Sequence, residues 1–175
     1  MKMILDNGSG KIHELESQSE VEAEIRNILG KTYLSLGFHG EAIQHLEKAL
    51  EINLTLVDPE HPEVGLLYNS LGTSHQAVHQ ASKAIGYYEK ALSIWLNFHG
   101  MEHPYVAISY NNLGTSHLDK GMYAQAIGYH EKALAIQLRI IGQEHPDVAV
   151  SYSNLGISHK ENGDYDNAIV YCEKA

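Results

Sequence analysis

Twelve histidines in 175 residues are the first side chains to weigh for chemistry. His75, His117 and His159 recur at intervals of 42, and His61, His103 and His145 each precede a proline at the same interval. Imidazole is a metal ligand and an acid–base group. Zinc holds its ligands about 2 Å away, whereas one histidine per repeat on packed helices sets neighbours about 10 Å apart. The row of His75, His117 and His159 therefore cannot share an ion. The spacing predicts core side chains, each hydrogen-bonded because a buried polar group without a partner is costly. The His-Pro histidines are read as caps or loop-packing groups at helix starts. So many imidazoles leave open a pH effect below about 6.5, which a loss of helical signal between about pH 7 and 5.5 would support and a flat profile would remove. Cys172 is the single thiol; it falls in an apolar stripe and reads as a small packing residue rather than a nucleophile. The sequence has no Gly-rich phosphate loop, paired acidic motif or zinc spacing. Neither catalysis nor a metal or cofactor is expected.

The elements that position these side chains repeat with them. HPYVAISYNNLG, from His103 to Gly114, stands as HPEVGLLYNSLG from His61 and as HPDVAVSYSNLG from His145. Self-similarity at such a period marks a stacked repeat protein. A second motif, Glu47-Lys48-Ala49-Leu50, returns from Glu89 and Glu131 and begins again at Glu173. The 42-residue register predicts four units, about 19–60, 61–102, 103–144 and 145–175, the last cut short. Residues 1–18 lie outside it and are read as a flexible lead-in or as the degenerate end of an earlier unit, since Asn7-Gly8-Ser9-Gly10 is turn chemistry. In each unit Tyr110, Leu113, Gly114 and His117, or their equivalents, share one face of a helix. Pro104 suits its first turn, and Gly37, Gly121 and Gly163 suit left-handed C-caps. His79-Gln80 departs from that pattern. A second helix, about 124–140, carries the stripe Ala126, Ile127, His130, Ala133, Leu134 and Leu138. Gly86 and Gly128 fall mid-helix and are assigned to close packing. Four helical hairpins in series predict an all-α fold, an α-solenoid of antiparallel helix-turn-helix units.

Composition sets the outer bounds. A hydrophobic content of 43% is enough for a core shared along the stack. A net charge of -10 and the lack of any basic run count against nucleic acid. Met3-Ile4-Leu5 is too short for a signal peptide or a membrane span, and one cysteine fits a reducing compartment. A cytoplasmic setting without membrane attachment is expected.

Leu-Gly in the first helix, the bulky residue three before it, the histidine or aromatic three after it, and Ala84, Tyr88 and Ala91 in the second helix resemble the tetratricopeptide repeat. The usual unit of that family has 34 residues. The eight extra residues correspond to about 12 Å of helix, so a longer second helix and a longer inter-unit loop are expected. A 42-residue unit with His-Pro-acid-Val ahead of Tyr-Asn-Asn-Leu-Gly is similar to the repeats of kinesin light chains and related arrays. The resemblance covers residues 19–175 and implies recognition of a protein or an extended peptide in a concave groove formed by the first helices.

The groove positions follow from the rotation of 100° per residue. Opposite Tyr110, Leu113 and His117 lie Ile108, Asn111, Thr115 and Leu118. The equivalents are Leu66, Asn69, Thr73 and Gln76 in the second unit, Val150, Ser153, Ile157 and Lys160 in the fourth, and Glu24, Asn27, Lys31 and Leu34 in the first. Asn27, Asn69 and Asn111 form a row of amides able to pair with a peptide backbone, and Leu66, Ile108 and Val150 offer apolar pockets beside it. The alternative is that these asparagines are tolerated at solvated positions or bond to the neighbouring helix. Only Lys31 and Lys160 are basic here, which disfavours capture of a C-terminal carboxylate. A second function is open to such an array: a spacer or sensor segment of a longer protein, self-associating through its C-terminal repeat.

Overall fold

The computed structural model describes residues 2–9 and 19–175, and every regular element among them is a helix. In chain order these are α1 (Lys2–Ser9), α2 (Ser19–Ser35), α3 (His39–Leu56), α4 (Pro62–Ala77), α5 (Ala81–His99), α6 (Pro104–Asp119), α7 (Tyr123–Ile140), α8 (Pro146–Glu161) and α9 (Tyr165–Lys174). The pairs α2–α3, α4–α5, α6–α7 and α8–α9 are the hairpins, and each packs on the next. The second helices α3, α5 and α7 have 18 or 19 residues against 16 for the first helices α4, α6 and α8.

The first helices α4, α6 and α8 share the same start and stop. His61, His103 and His145 are the N-caps, and their Nδ1 atoms accept from the backbone N–H of Glu63 (3.3 Å), Tyr105 (3.2 Å) and Asp147 (3.2 Å). A neutral imidazole thus satisfies one of the free donors of the first turn, the task usually left to Ser or Asp. At the other end Gly121 adopts φ 72°, its N–H reaches Leu118 O, and Met122 N–H reaches His117 O. This doubly bonded stop is a Schellman motif. His79, where glycine was expected, takes φ 58° and preserves both bonds. Here the 42-residue packing overrides the local preference of a side chain for negative φ.

The helices of a hairpin meet through the glycine of Leu-Gly. A Cβ built on Gly30 would lie 2.6 Å from Leu46 Cγ, one on Gly72 2.5 Å from Tyr88 Cε1, and one on Gly156 2.8 Å from Cys172 Sγ; on Gly114 it would collide with the His130 ring. Leu46, Tyr88, His130 and Cys172 are equivalent, so this contact admits varied side chains provided that the facing residue has none.

Several expectations are corrected. Leu138 is 36% exposed, and Ile136 and Gln137 are buried in its stead, because Gln137 continues the Ala126–His130–Ala133 row one turn further. Gly86 and Gly128 have no atom within 4 Å of a built Cβ, so close packing does not explain them. Cys172 is exposed, whereas its counterparts Tyr88 and His130 are buried between hairpins. Part of the expected flexible lead-in is helical. Tyr33 Oη donates to Asp6 Oδ1 (2.6 Å), Ser9 Oγ meets His45 Nε2 (2.9 Å) and Lys2 Nζ pairs with Glu41 (2.7 Å), which docks α1 on the first hairpin. The Tyr33 hydroxyl, and then Lys2, hold the Asp6 carboxyl below its ordinary range. Residues 10–18 of that segment lie outside the described residues.

Candidate peptide-binding groove

The first helices α2, α4, α6 and α8 also touch one another in sequence. In a curved stack the helices that lie closer together form the inner layer, so their outward faces make the concave surface. Ile108 (44% exposed), Val150 (55%) and Ile157 (47%) are open on this row, and Leu66 is half-buried. Asn27, Asn69, Asn111, Thr73, Thr115 and Ser153 are half-buried beside them, and Lys31 is exposed. The predicted groove residues therefore share one layer of the stack.

Their hydrogen bonds divide them. Asn112 Nδ2 donates to Asn69 Oδ1 (3.0 Å), and Asn154 Nδ2 donates to Asn111 Oδ1 (3.4 Å). Asn111 Nδ2 also lies 3.4 Å from Ser151 Oγ. Both carbonyl oxygens of the row are thus committed to the next first helix. The Thr73, Thr115 and Ser153 hydroxyls are turned back onto the carbonyls of Asn69, Asn111 and Ala149. No hydrogen bond from Asn69 Nδ2 occurs among the described residues. Asn27 differs again. The residue equivalent to Asn112 and Asn154 is Ser70, whose hydroxyl bonds to Leu66 O, and among the described residues the buried Asn27 Oδ1 has no donor.

Asn27 forms part of the wall of a cavity of about 550 Å³ between α2, the end of α3 and the start of α4. Nothing in the repeat motif points to this hollow. The signal lies in two departures from the unit: Asn53 stands where the next unit has Trp95, and Glu63 where it has Tyr105. At the following joint Trp95 is buried, lies 4.6 Å from Tyr105 by ring centroids and fills the space left by Gly65, where a Cβ would come within 2.8 Å of it. At the joint after that, Gln137 Oε1 accepts from the Ser151 hydroxyl.

The histidine row lies in the core, as its spacing predicts. His75, His117 and His159 are buried, with Nδ1 bonded to Gln80 Oε1 (3.0 Å), Leu113 O (2.8 Å) and Asp164 Oδ2 (3.1 Å). Each packs on a tyrosine of the second helix, Tyr87, Tyr129 or Tyr171, with ring centroids 4.9 to 5.3 Å apart. The same tyrosines and their partners Tyr68, Tyr110 and Tyr152 receive the ammonium groups of Lys90, Lys132 and Lys174 at 5.1 to 5.8 Å. This cation–π cluster also repeats every 42 residues and was not anticipated. In the first unit Arg26 and His45 replace the two tyrosines, Arg26 pairs with Glu22, and His45 stacks on Tyr33. Among the described residues no three His, Cys, Asp or Glu side chains converge as metal ligands, and no helix is long and apolar enough to cross a membrane.

Solved structures share this arrangement. BtubC (BKLC) from P. vanneervenii matches with a TM-score of 0.85 at 27% identity, over 99% of this chain and 69% of that one. A putative kinesin light chain of Podosopora anserina with nearly identical TPR-like repeats matches with a TM-score of 0.76 at 26% identity, over 93% of this chain and 74% of that one. MamA, at 22% identity and a TM-score of 0.72 over 99% of this chain and 81% of that one, shares the fold. No curated protein matches significantly. The tetratricopeptide repeat model matches residues 21–97, 63–139 and 105–175 in overlapping steps. With a 42-residue hairpin closed by a Leu-Gly contact, stacked in series and matched by that model almost from end to end, the chain belongs to the tetratricopeptide repeat family, a family of protein-interaction scaffolds.

Proposed function

We propose that the protein is an adaptor that holds an extended peptide, or an extended segment of a partner protein, along the concave face of α2, α4, α6 and α8. The observation that carries this reading is the row of apolar side chains at one register, the half-buried Leu66 and the open Ile108 and Val150, flanked by the amides of Asn69 and Asn111. An extended strand places alternate side chains on one face. Such a row supplies pockets for those side chains, with polar edges for the backbone between them. Because the amide oxygens already bridge neighbouring helices, the amide N–H groups are the ones offered to a ligand, and the apolar row carries more of the affinity.

Selection of nonapeptides from a displayed random library, followed by titration of the isolated peptides, tests the proposal. Ile108→Glu and Val150→Glu should each weaken binding at least tenfold, while far-UV circular dichroism stays unchanged. Binders indifferent to both substitutions and to Asn111→Lys would overturn it.

A second reading is end-to-end self-association. It is favoured by a hollow of about 510 Å³ at the last hairpin, lined by Ile157, Tyr165, Ile169 and Cys172, with Val170 exposed nearby. Sedimentation across a hundredfold range of concentration tests it, and a monomer throughout would exclude it.

A further inference from the structure

The cavity between the first two hairpins differs from the rest of the groove in what its polar groups can do. Glu20, Glu24 and Glu63 bring three carboxylates to it, and no lysine or arginine lines it. Among the described residues none of the three takes part in an ion pair. The half-buried Asn27 lines it as well, its Oδ1 buried and, among the described residues, without a donor. Asn53 donates one amide N–H to Ala49 O (2.9 Å), and its carbonyl oxygen accepts no bond among the described residues. The charged groups of the wall are therefore all acceptors, and the rest of it, apart from the two asparagine amides, is apolar, Leu66 included. The fitting ligand is a cation with several N–H donors on an apolar stem. A planar guanidinium meets that description better than an ammonium, because its donors are fixed in a fork that matches carboxylate oxygens.

We infer that this cavity receives an arginine side chain of the bound peptide. The inference rests on the groove reading and deepens it: Glu24, Asn27 and Leu66 belong to both, so one strand along the concave face can place an arginine between α2 and α4. A volume of about 550 Å³ lies within the range of specific ligand sites, about 300–1,000 Å³. The net charge of -10 favours the approach of a cation. Among the described residues the equivalent space is taken at the other two joints, by Trp95 and Tyr105 at the next and by the Gln137–Ser151 bond at the one after.

The test is an NMR titration of the full chain with N-acetyl-leucyl-argininamide and with its citrulline analogue, the neutral isostere. The arginine probe should shift the amides of the first half of α2, the end of α3 and the start of α4. The citrulline probe should bind roughly tenfold more weakly or worse, as expected when charge-assisted hydrogen bonds are lost. Asn53→Trp, which gives this joint the side chain of the next, should abolish binding. Glu24→Gln with Glu63→Gln keeps the shape, should weaken binding at least tenfold, and decides the matter alone if the tryptophan variant misfolds. Equal binding of the two probes, indifference to the variants, or no binding of the arginine probe at millimolar concentration overturns the inference. Shifts that gather instead around Asn69 and Asn111 would reject the cavity and leave the groove standing; shifts confined to the second helices would reject both.

Discussion

At the scale of the residue, two kinds of glycine have opposite meanings. Gly72 touches the Tyr88 ring so closely that a methyl group has no room. Gly72→Ala should therefore destabilise the array by about 1–3 kcal/mol, as overpacking does. Gly86 sits mid-helix facing open space, and Gly86→Ala should stabilise by about 0.5–1 kcal/mol. Urea denaturation of the two variants checks both signs. His79 is the converse case, a side chain at a position built for glycine. His79→Gly should raise stability by up to about 1 kcal/mol and the melting temperature by about 2–4 °C, measured by thermal unfolding.

At the scale of the element, the helices depend on neutral imidazoles. Burial pushes the His130 pKa down to about 4, from 6.5. Burial, and then Arg26, lowers that of His45; burial, and then His99, lowers that of the N-cap His103. A histidine whose folded pKa is depressed binds protons more readily when unfolded. Its contribution is fully present above pH 6.5 and is lost as the pH falls through the folded value. For His130 that window runs from 6.5 down to about 4, and 2.5 units correspond to about 3 kcal/mol. The urea midpoint should fall steadily through this range. His130→Leu, which borrows the residue of the first unit, should flatten the slope. This places the acid response lower than the pH 7 to 5.5 interval considered from histidine content alone, because the count of imidazoles says nothing about their burial. The rest of the helical design was legible. Pro104, Gly121 and the Leu113-Gly114 pair marked the ends and the contact face correctly, since each acts through local backbone geometry. The docking of α1 was not, because the Asp6–Tyr33 and Ser9–His45 bonds join residues 27 and 36 positions apart without any periodic signal. The same limit hid the cavity: Asn53 and Glu63 look unremarkable until their equivalents Trp95 and Tyr105 are found in contact.

At the scale of the whole molecule, each hairpin shares its core chiefly with its neighbours, so stability is set joint by joint. The joint between α5 and α6 is the best filled, with Val64, Ala91, Ile94, Trp95, Val106, Ala107 and Ile136 in one buried cluster. The joint between α3 and α4 carries the cavity instead. Hydrogen exchange should therefore be slowest in α5 and α6 and faster in α2 and α3, where amides open with less disruption of packed surface. Asn53→Trp should narrow that difference if the ring is accommodated as Trp95 is. Trp95 is the only tryptophan of the chain and sits at the middle joint, so its emission gauges a single seam of the stack. During unfolding, circular dichroism averages over every helix while the indole reports only when its own seam parts. A delay between the two signals would give the order in which the array comes undone, with no label attached.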